Sequence, residues 1–436
     1  MMKPVRTIAF HTLGCKVNQY DTQAMEELLN AAGYQSVPFP SDADVYLLNT
    51  CTVTGSGDKK SLQLARRIRR EHPESKLILC GCMAQLQGAQ LMDTGADLII
   101  GTQHRGEIVS LLNQVISEGR PLCAVEPLPE KMIFEPLTIS RQSEHTRAVL
   151  KIQEGCRNRC SYCIIPTVRG PIRSRCPEDI RAEAERLAEA GFREIVLTGI
   201  HLSSWGQDFG DPLTLIDAIR LLQDQDGILR IRLGSLEPTI ATPEFASALR
   251  GMSKICPQFH LALQSGSDSV LRRMRRRYNT EMYLEAAANL RAVFPHAALT
   301  TDILTGFPGE TVEEFEETVE IIRKVGFSRI HVFPYSPRPG TPASEMPGQL
   351  TDTVKQDRCR RLIRLGQTIA RQWLETWVGR ESELLPEEMV DGCWEGYTPE
   401  YIRIRLRPED ACISGHPCRI RITDIRNGYA DAEIIQ

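Results

Sequence analysis

Over much of the chain, short apolar runs alternate with longer stretches whose apolar residues recur at helical spacing. Residues 7–12, 44–49, 76–79 and 97–100 read as strands. Residues 21–32, 59–71, 85–92 and 106–117 read as helices, the first ending at Gly33. Apolar strands of this kind between amphipathic helices predict a parallel sheet covered on both faces. This α/β domain is expected to span residues 1–140, with the stretch around Pro121, Pro127, Pro129 and Pro136 as a linker or bridging segment. The alternation then resumes with strands at 148–153, 194–198, 229–233, 260–263, 299–304 and 329–333, and helices such as 178–190 and 312–325. Six βα repeats predict an open, partial TIM-like (β/α)6 barrel over residues 141–372, with chemistry on the loops at the carboxyl ends of its strands. From residue 373 the pattern changes. Residues 377–384, 401–406, 417–424 and 430–435 alternate as short strands without helices, which predicts a small antiparallel β-barrel over 373–436.

Composition narrows the class. A chain of 436 residues is expected to hold two or three domains, and 42% hydrophobic residues suffice for a large core. Fourteen cysteines are many, but the chain is far too long for a disulfide-stapled miniprotein. Several lie in metal-like contexts, which favours a reducing compartment. Residues 1–6 lead straight into a strand pattern without a signal peptide. No apolar run approaches the roughly 20 residues of a membrane span. A cytoplasmic protein with no membrane partner is expected. The net charge of −4 gives no general pull towards nucleic acid. Local basic runs occur at Arg66-Arg67-Ile68-Arg69-Arg70, at Arg272-Arg273-Met274-Arg275-Arg276-Arg277-Tyr278 and around 358–364. They are either solvated helix faces or contacts for an RNA backbone.

Candidate chemistry enters at Glu154-Gly155-Cys156-Arg157-Asn158-Arg159-Cys160-Ser161-Tyr162-Cys163, directly after the first strand of the central domain. Three thiolates at this spacing can hold three irons of a cuboidal iron–sulfur cluster, which four Cys normally hold. No fourth Cys is spaced to complete the set, so one iron is left open to bind and reduce a ligand. A structural zinc site competes with this reading, but zinc sites usually pair C-x2-C with a second matching pair, and none is present. The C-x3-C-x2-C spacing, with Tyr162 before the last Cys, resembles the signature of the radical S-adenosylmethionine (SAM) enzymes. The resemblance implies a [4Fe-4S] cluster on Cys156, Cys160 and Cys163 whose open iron binds SAM and cleaves it to a 5'-deoxyadenosyl radical.

The later loops of the domain are Thr198-Gly199-Ile200-His201, Gly234-Ser235-Leu236-Glu237-Pro238, Gln264-Ser265-Gly266-Ser267-Asp268 and Gly306-Phe307-Pro308-Gly309-Glu310. Singly, each is an ordinary βα turn. Together they resemble the SAM-binding rim of the same enzymes. By that resemblance the Gly199 turn holds the SAM amino group, and Ser235, Glu237 and Gln264 are candidates for ribose and carboxylate contacts. Tyr162 is placed to pack near the adenine or in the core, and His201 reads as structural. No general base is required, since the radical itself removes the hydrogen.

Three more cysteines share a topological position. Cys15, Cys51 and Cys82 each lie just past the carboxyl end of a predicted parallel strand, on the edge where open α/β sheets bind ligands. Gly14 and Gly81 beside them permit close backbone approach. The alternatives are a second three-Cys cluster or three inert buried thiols. Cys80 competes with Cys82, but as the last residue of its strand it is expected to point into the sheet. The runs Thr12-Leu13-Gly14-Cys15-Lys16-Val17-Asn18-Gln19-Tyr20-Asp21 and Asn49-Thr50-Cys51-Thr52-Val53 resemble the N-terminal domain of the methylthiotransferases, a radical SAM branch. That resemblance makes Cys15, Cys51 and Cys82 ligands of an auxiliary cluster, giving two [4Fe-4S] clusters in all. Asn18 and Asn49 also match; each either contacts the cluster or satisfies loop backbone groups.

The resemblance continues through Tyr335-Ser336-Pro337-Arg338-Pro339-Gly340-Thr341-Pro342, which would close the site from the barrel side, and through a C-terminal module like the tRNA-binding TRAM domain. In that module Asp391-Gly392-Cys393-Trp394-Glu395-Gly396-Tyr397-Thr398 reads as an aromatic loop suited to base stacking. Acidic residues outnumber basic ones there, so RNA binding would rest on Arg403, Arg405 and Arg407 along one strand face; otherwise the module is a structural cap. The Cys15 and Cys156 runs are most similar to the branch acting on N6-threonylcarbamoyladenosine beside the tRNA anticodon. The implied reaction inserts a methylthio group at C2, using one SAM as methyl donor and one as radical source, with an electron donor such as flavodoxin or ferredoxin. Rival readings are isopentenyladenosine in tRNA or a ribosomal-protein aspartate as substrate, a SAM-independent electron carrier, and an RNA-binding module with structural clusters. Cys123, Cys176, Cys256, Cys359, Cys393, Cys412 and Cys418 are expected to be mostly packing residues.

Overall fold

The computed structural model describes residues 7–140, 146–408, 410 and 412–435. Residues 1–6 and the expected boundary at 141 lie outside the described residues. The first unit is a parallel sheet in the order Gln35–Val37, Thr7–Thr12, Val45–Thr50, Lys76–Gly81, Leu98–Ile100, Leu122–Ala124. Its central strand Val45–Thr50 is buried throughout, with one apolar cluster on each face of the sheet. The two outermost strands are additions to the sequence reading. Each is three residues long and only partly buried, so each carries little periodicity, and Leu122–Ala124 lies inside the Pro-rich stretch read as a linker.

Three helices of this unit begin earlier than the apolar spacing predicts, whereas the fourth, Ile108–Glu118, begins two residues later. The three run over Lys16–Ala31, Gly55–Glu71 and Cys82–Gln87, the last continued by a 3-10 turn over Gly88–Thr94. Lys16–Ala31 starts directly behind Cys15, because Val17, Asn18, Tyr20 and Asp21 all turn inward. Two of these are polar, and their burial is invisible to a hydrophobic pattern.

The second unit carries the six expected parallel strands: Arg147–Glu154, Glu194–Gly199, Arg230–Leu233, Gln258–Leu261, Ala298–Thr305 and Arg329–Pro334. They curve as two four-stranded sheets. The break falls at Gly234, where a Cβ would stand 2.9 Å from the Leu197 carbonyl oxygen. Ser235–Leu236 then opens the second sheet, and Arg173–Ser174 adds an antiparallel pair at the end of Arg147–Glu154. Helices such as Pro177–Glu189 and Val312–Val325 bury the outer face in one continuous core.

The third unit is a closed five-stranded barrel. Its strands are Glu381–Val390, Cys393–Tyr397, Arg403–Leu406, Cys418–Ile425 and Ala430–Ile434. Two expectations are corrected. Arg403–Leu406 and Ala430–Ile434 pair in parallel, so the barrel is not wholly antiparallel. Cys393–Tyr397 is a strand, not a base-stacking loop: it pairs on both sides, and Trp394 packs towards the barrel core. Tyr397 stacks on Tyr401 at 4.6 Å, with the Arg147 guanidinium over both rings.

That stack belongs to a dock between the second and third units. Arg230 bonds the Tyr397 carbonyl at 2.9 Å and the Glu383 carboxylate at 2.8 Å. Arg232 donates to buried Glu194 at 2.7 Å and to the Pro399 carbonyl at 2.9 Å. Arg147, Glu194 and Arg230 each start a strand, so the small barrel sits at the amino-terminal ends of these strands. Among the described residues, no helix is long and apolar enough to cross a membrane. Replacing Arg232 by Met leaves the Glu194 carboxylate buried without its main partner. Loss of one partner of a buried pair costs about 3–5 kcal/mol, so a clear fall in the thermal unfolding midpoint of R232M is expected, with a smaller fall when Glu194→Gln is added.

Candidate functional site

Parallel pairing sets Thr12 beside Asn49 and Asn49 beside Cys80, which brings the carboxyl ends of three strands together. Cys15 caps the first helix, Cys51 follows Thr50, and Cys82 opens the third helix. The approach is close. A Cβ at Gly14, where φ is +113°, would lie 3.1 Å from the Cys51 sulfur. One at Gly81, with φ +93°, would lie 2.3 Å from Asn49 Oδ1. Burial, reinforced by the neighbouring Cys82 and Cys15 thiols, pushes the Cys51 thiol up to about 11, and burial raises Cys82 as well. Such thiols keep their protons until a cation displaces them, as metal binding does. Cys80 is fully buried in the apolar cluster with Ile78, Leu98 and Ile100, as expected. The Asn18 amide donates to the carbonyls of Leu13 at 2.8 Å and Thr50 at 3.1 Å. The Asn49 amide donates to the Asn18 carbonyl at 2.9 Å. Both amide nitrogens thus bond backbone, whereas Asn18 Oδ1 accepts from Arg169 and Asn49 Oδ1 is buried with no partner among the described residues.

The second trio occupies the loop after Arg147–Glu154. Gly155, with φ +72°, starts that loop where a Cβ would stand 1.8 Å from the Pro171 carbonyl oxygen, so no side chain fits. The Cys156 amide donates to the Gly170 carbonyl at 3.0 Å and the Cys163 amide to that of Cys160 at 3.1 Å. Burial raises the Cys156 thiol to about 11 and the Cys163 thiol to about 12. Among the described residues, no three His, Cys, Asp or Glu side chains converge as a single metal ion requires. Two open thiol trios suit cuboidal clusters, whose irons occupy separate corners, better than zinc.

The two trios meet. Cys82 shares one apolar cluster with Ile164 and Val168, and Leu86 and Ile165 pack against it. Ile164 directly follows Cys163, and the short helix Ile165–Arg169 runs on from there. A strap from the end of the last barrel strand touches both sides. Ser336 accepts from the Gly55 amide at 3.0 Å, and Arg338 bonds Thr52 at 2.6 Å. At its other end the Ala343 amide donates to the Ser161 carbonyl at 2.8 Å.

Beside the Cys156 loop lies a cavity of about 390 Å³ walled by Asn158, His201, Ser203, Ser204, Glu237 and Arg277, among others. Burial works to raise the Glu237 carboxyl. The His201 imidazole, 3.5 Å away, and the Arg276 guanidinium, 2.9 Å away, outweigh it and hold Glu237 below the usual range. Of the residues expected on the SAM rim, Glu237 lines this cavity; Tyr162, Gly199, Ser235 and Gln264 do not. Gly199 makes room for Gln153, whose Oε1 accepts from the His201 amide at 2.7 Å. Ser235 is exposed on its short strand. Gln264, with φ +65°, ties Asp302 and Leu304 together through its backbone. Tyr162 is half-buried against Val270, Met274, Phe307, Tyr335 and Ala343.

Several residues were passed over in the sequence. Asn158 stood in the cysteine run without a role of its own. Arg276 read as part of a basic run, yet it donates to the Cys160 sulfur at 3.1 Å. The helix Asp268–Arg273 ends, Arg275 takes φ +57°, and the reversal turns Arg276 inward; flanking Met274 and Tyr278, both buried, were the available signal. The other runs also prove largely paired: Arg69 bonds Asp97, and Arg358 bonds Glu310. Arg403 and Arg407 are engaged by Glu395 and Glu433 on the small barrel. Arg169 donates from Nε to the Cys82 sulfur at 3.2 Å.

Known proteins fit this geometry. Residues 150–322 match the Radical SAM superfamily model, and residues 7–101 match Uncharacterized protein family UPF0004. The radical S-adenosylmethionine methyltransferase TsrM from Kitasatospora setae, solved with cobalamin and a [4Fe-4S] cluster, has a similar fold. Its TM-score is 0.57 at 16% identity, covering 78% of this chain and 77% of that one. Fold and cysteine loop thus define a radical SAM enzyme. The chain is 40% identical over 440 residues to threonylcarbamoyladenosine tRNA methylthiotransferase MtaB of Bacillus subtilis, covering 99% of this chain and 96% of that one. It is 36% identical to tRNA-2-methylthio-N(6)-dimethylallyladenosine synthase of Pelotomaculum thermopropionicum, over 89% and 88% of the two chains. The chain belongs to the radical SAM methylthiotransferase family.

Gly155→Ala is expected to displace the Cys156 loop. Iron analysis of the reconstituted variant should show loss of that centre with retention of the one at Cys15, Cys51 and Cys82. Full iron loading would mean that the loop tolerates a side chain there.

Proposed function

We propose that this chain replaces the C2 hydrogen of N6-threonylcarbamoyladenosine, next to the anticodon of tRNA, with a methylthio group. The carrying observation is the packing of Cys82, from the first unit, against Ile164 and Val168, which follow Cys163 in the second. On this reading Cys156, Cys160 and Cys163 hold one [4Fe-4S] cluster and Cys15, Cys51 and Cys82 a second. Bound there, the clusters supply an open, reducing iron for SAM cleavage and a place where sulfur is held for transfer. Glu237, kept ionised, accepts hydrogen bonds from SAM, and Asn158 and His201 fix its polar end within the cavity. Gly199 contributes by leaving room for Gln153, which holds the His201 amide, while Ser235, Gln264 and Tyr162 stay outside the cavity. Ile164, Val168 and Leu86 keep water and stray hydrogen donors out of the space between the trios.

The division 1–140, 141–372 and 373–436 assigns these parts to an auxiliary-cluster domain, a radical SAM domain and a TRAM-like RNA-binding domain. The RNA, a flavodoxin or ferredoxin as electron donor, and a cytoplasmic location complete the reading. Support for the threonylcarbamoyl substrate comes from the name of the 40% identical relative. The dimethylallyl substrate named for the 36% identical relative is the alternative. Nucleoside mass spectrometry of tRNA from a strain lacking this chain decides between them by which methylthio nucleoside disappears.

Cys160→Ala is expected to abolish reductive formation of 5'-deoxyadenosine from SAM. Cys51→Ala should leave that formation measurable and yield no methylthio product. Normal methylthio yield from Cys51→Ala would overturn the auxiliary-cluster assignment.

A further inference from the structure

We infer that Arg169 is a positioning residue that raises the reduction potential of the centre held by Cys15, Cys51 and Cys82; this rests on the cluster assignment proposed above. The guanidinium is fully buried, and its hydrogen bonds are distributed over both units. Nη1 bonds Glu154 and, at 3.1 Å, Asp21; Nη2 bonds Asn18 Oδ1. Nε alone faces a sulfur, that of Cys82, at 3.2 Å. Arginine offers five donors in a rigid fork and cannot shed its charge. With the fork locked by two carboxylates and an amide, the direction of the Nε–H bond is fixed.

The charge around it is unbalanced. Among the described residues, Asp21, Glu154 and Glu135 face Arg105, Lys151, Arg169 and Arg173, so cations exceed carboxylates by one. A buried charge without a counterpart is expensive. An anionic sulfur at Cys82 supplies the missing negative charge, and a neutral thiol does not. An N–H donor on a ligand sulfur favours the more negative, reduced state of a cluster, which raises its potential.

The same side chain couples the two centres. Arg169 is the last residue of the helix Ile165–Arg169, which starts two residues past Cys163. One short rigid segment thus leaves one trio and bonds the other.

The test uses the full chain carrying Cys156→Ala, Cys160→Ala and Cys163→Ala, so that only the auxiliary centre assembles after iron–sulfide reconstitution. Iron content and EPR-monitored redox titration are compared with and without Arg169→Met, which keeps the unbranched stem out to about Nε but removes charge and donors. The reduction equilibrium is expected to shift at least tenfold towards the oxidised state, a fall of about 59 mV for one electron. An unchanged potential in a folded, iron-loaded R169M variant overturns the inference. Should R169M fail to fold, pulsed EPR on the chain with native Arg169 and 15N-labelled arginine decides. A nitrogen coupling at the reduced centre is expected, and its absence overturns the inference. If no centre assembles on Cys15, Cys51 and Cys82 even with Arg169 intact, the cluster assignment itself falls, and this inference with it.

Discussion

Two buried carboxylates, Asp21 and Glu154, hold the molecule's two larger units in one arrangement. Asp21 comes from the first helix of the parallel-sheet unit and Glu154 from the end of the first barrel strand. Arg105 reaches across to Glu154 at 3.0 Å, and Lys151 and Arg169 reach back to Asp21. Burial opposes ionisation of both acids, but the surrounding cations outweigh it and keep them charged. Ionic groups so deeply buried tolerate no loosening, since parting any pair strands a charge in a dry interior. The junction lies immediately behind both cysteine trios, and everything in the site inherits its rigidity.

The strap that begins at Tyr335 extends this logic to the opposite side. Arg338 bonds Thr52 and Asp58 of the sheet unit, while Ala343 pairs with the cysteine loop. Tyr335 fills the space between, against Phe307 and Tyr162. The junction of the two units is thus braced by charge on one side and on the other by a Pro-rich segment that ends in the short helix Pro342–Glu345.

The alternation of apolar strands and amphipathic helices made the sheet, the barrel and their order legible in the sequence. Loops at strand ends made both trios legible, because a parallel sheet gathers what the chain scatters. What escaped was set by tertiary contact. Gln35–Val37 and Leu122–Ala124 are too short to show a period. Cys393–Tyr397 carries Gly396, whose missing side chain admits the Leu385 carbonyl oxygen at a distance that would be 2.0 Å from a Cβ, and glycine reads as a loop. Arg276 and Arg169 look like surface charges in sequence, and only the fold shows that each is aimed at a sulfur. The cavity walls at Asn158 and His201 came from loop geometry that no spacing rule encodes.

The small barrel grips the second unit where the strands begin, through Arg147, Arg230 and Arg232, whereas Cys156, Cys160 and Cys163 stand just past the end of Arg147–Glu154. Strands of this length span ~20 Å. A polymer that touched both ends at once would have to lie along the flank of the barrel. The length of the first barrel strand alone therefore sets how far apart the small barrel and the Cys156 loop stand.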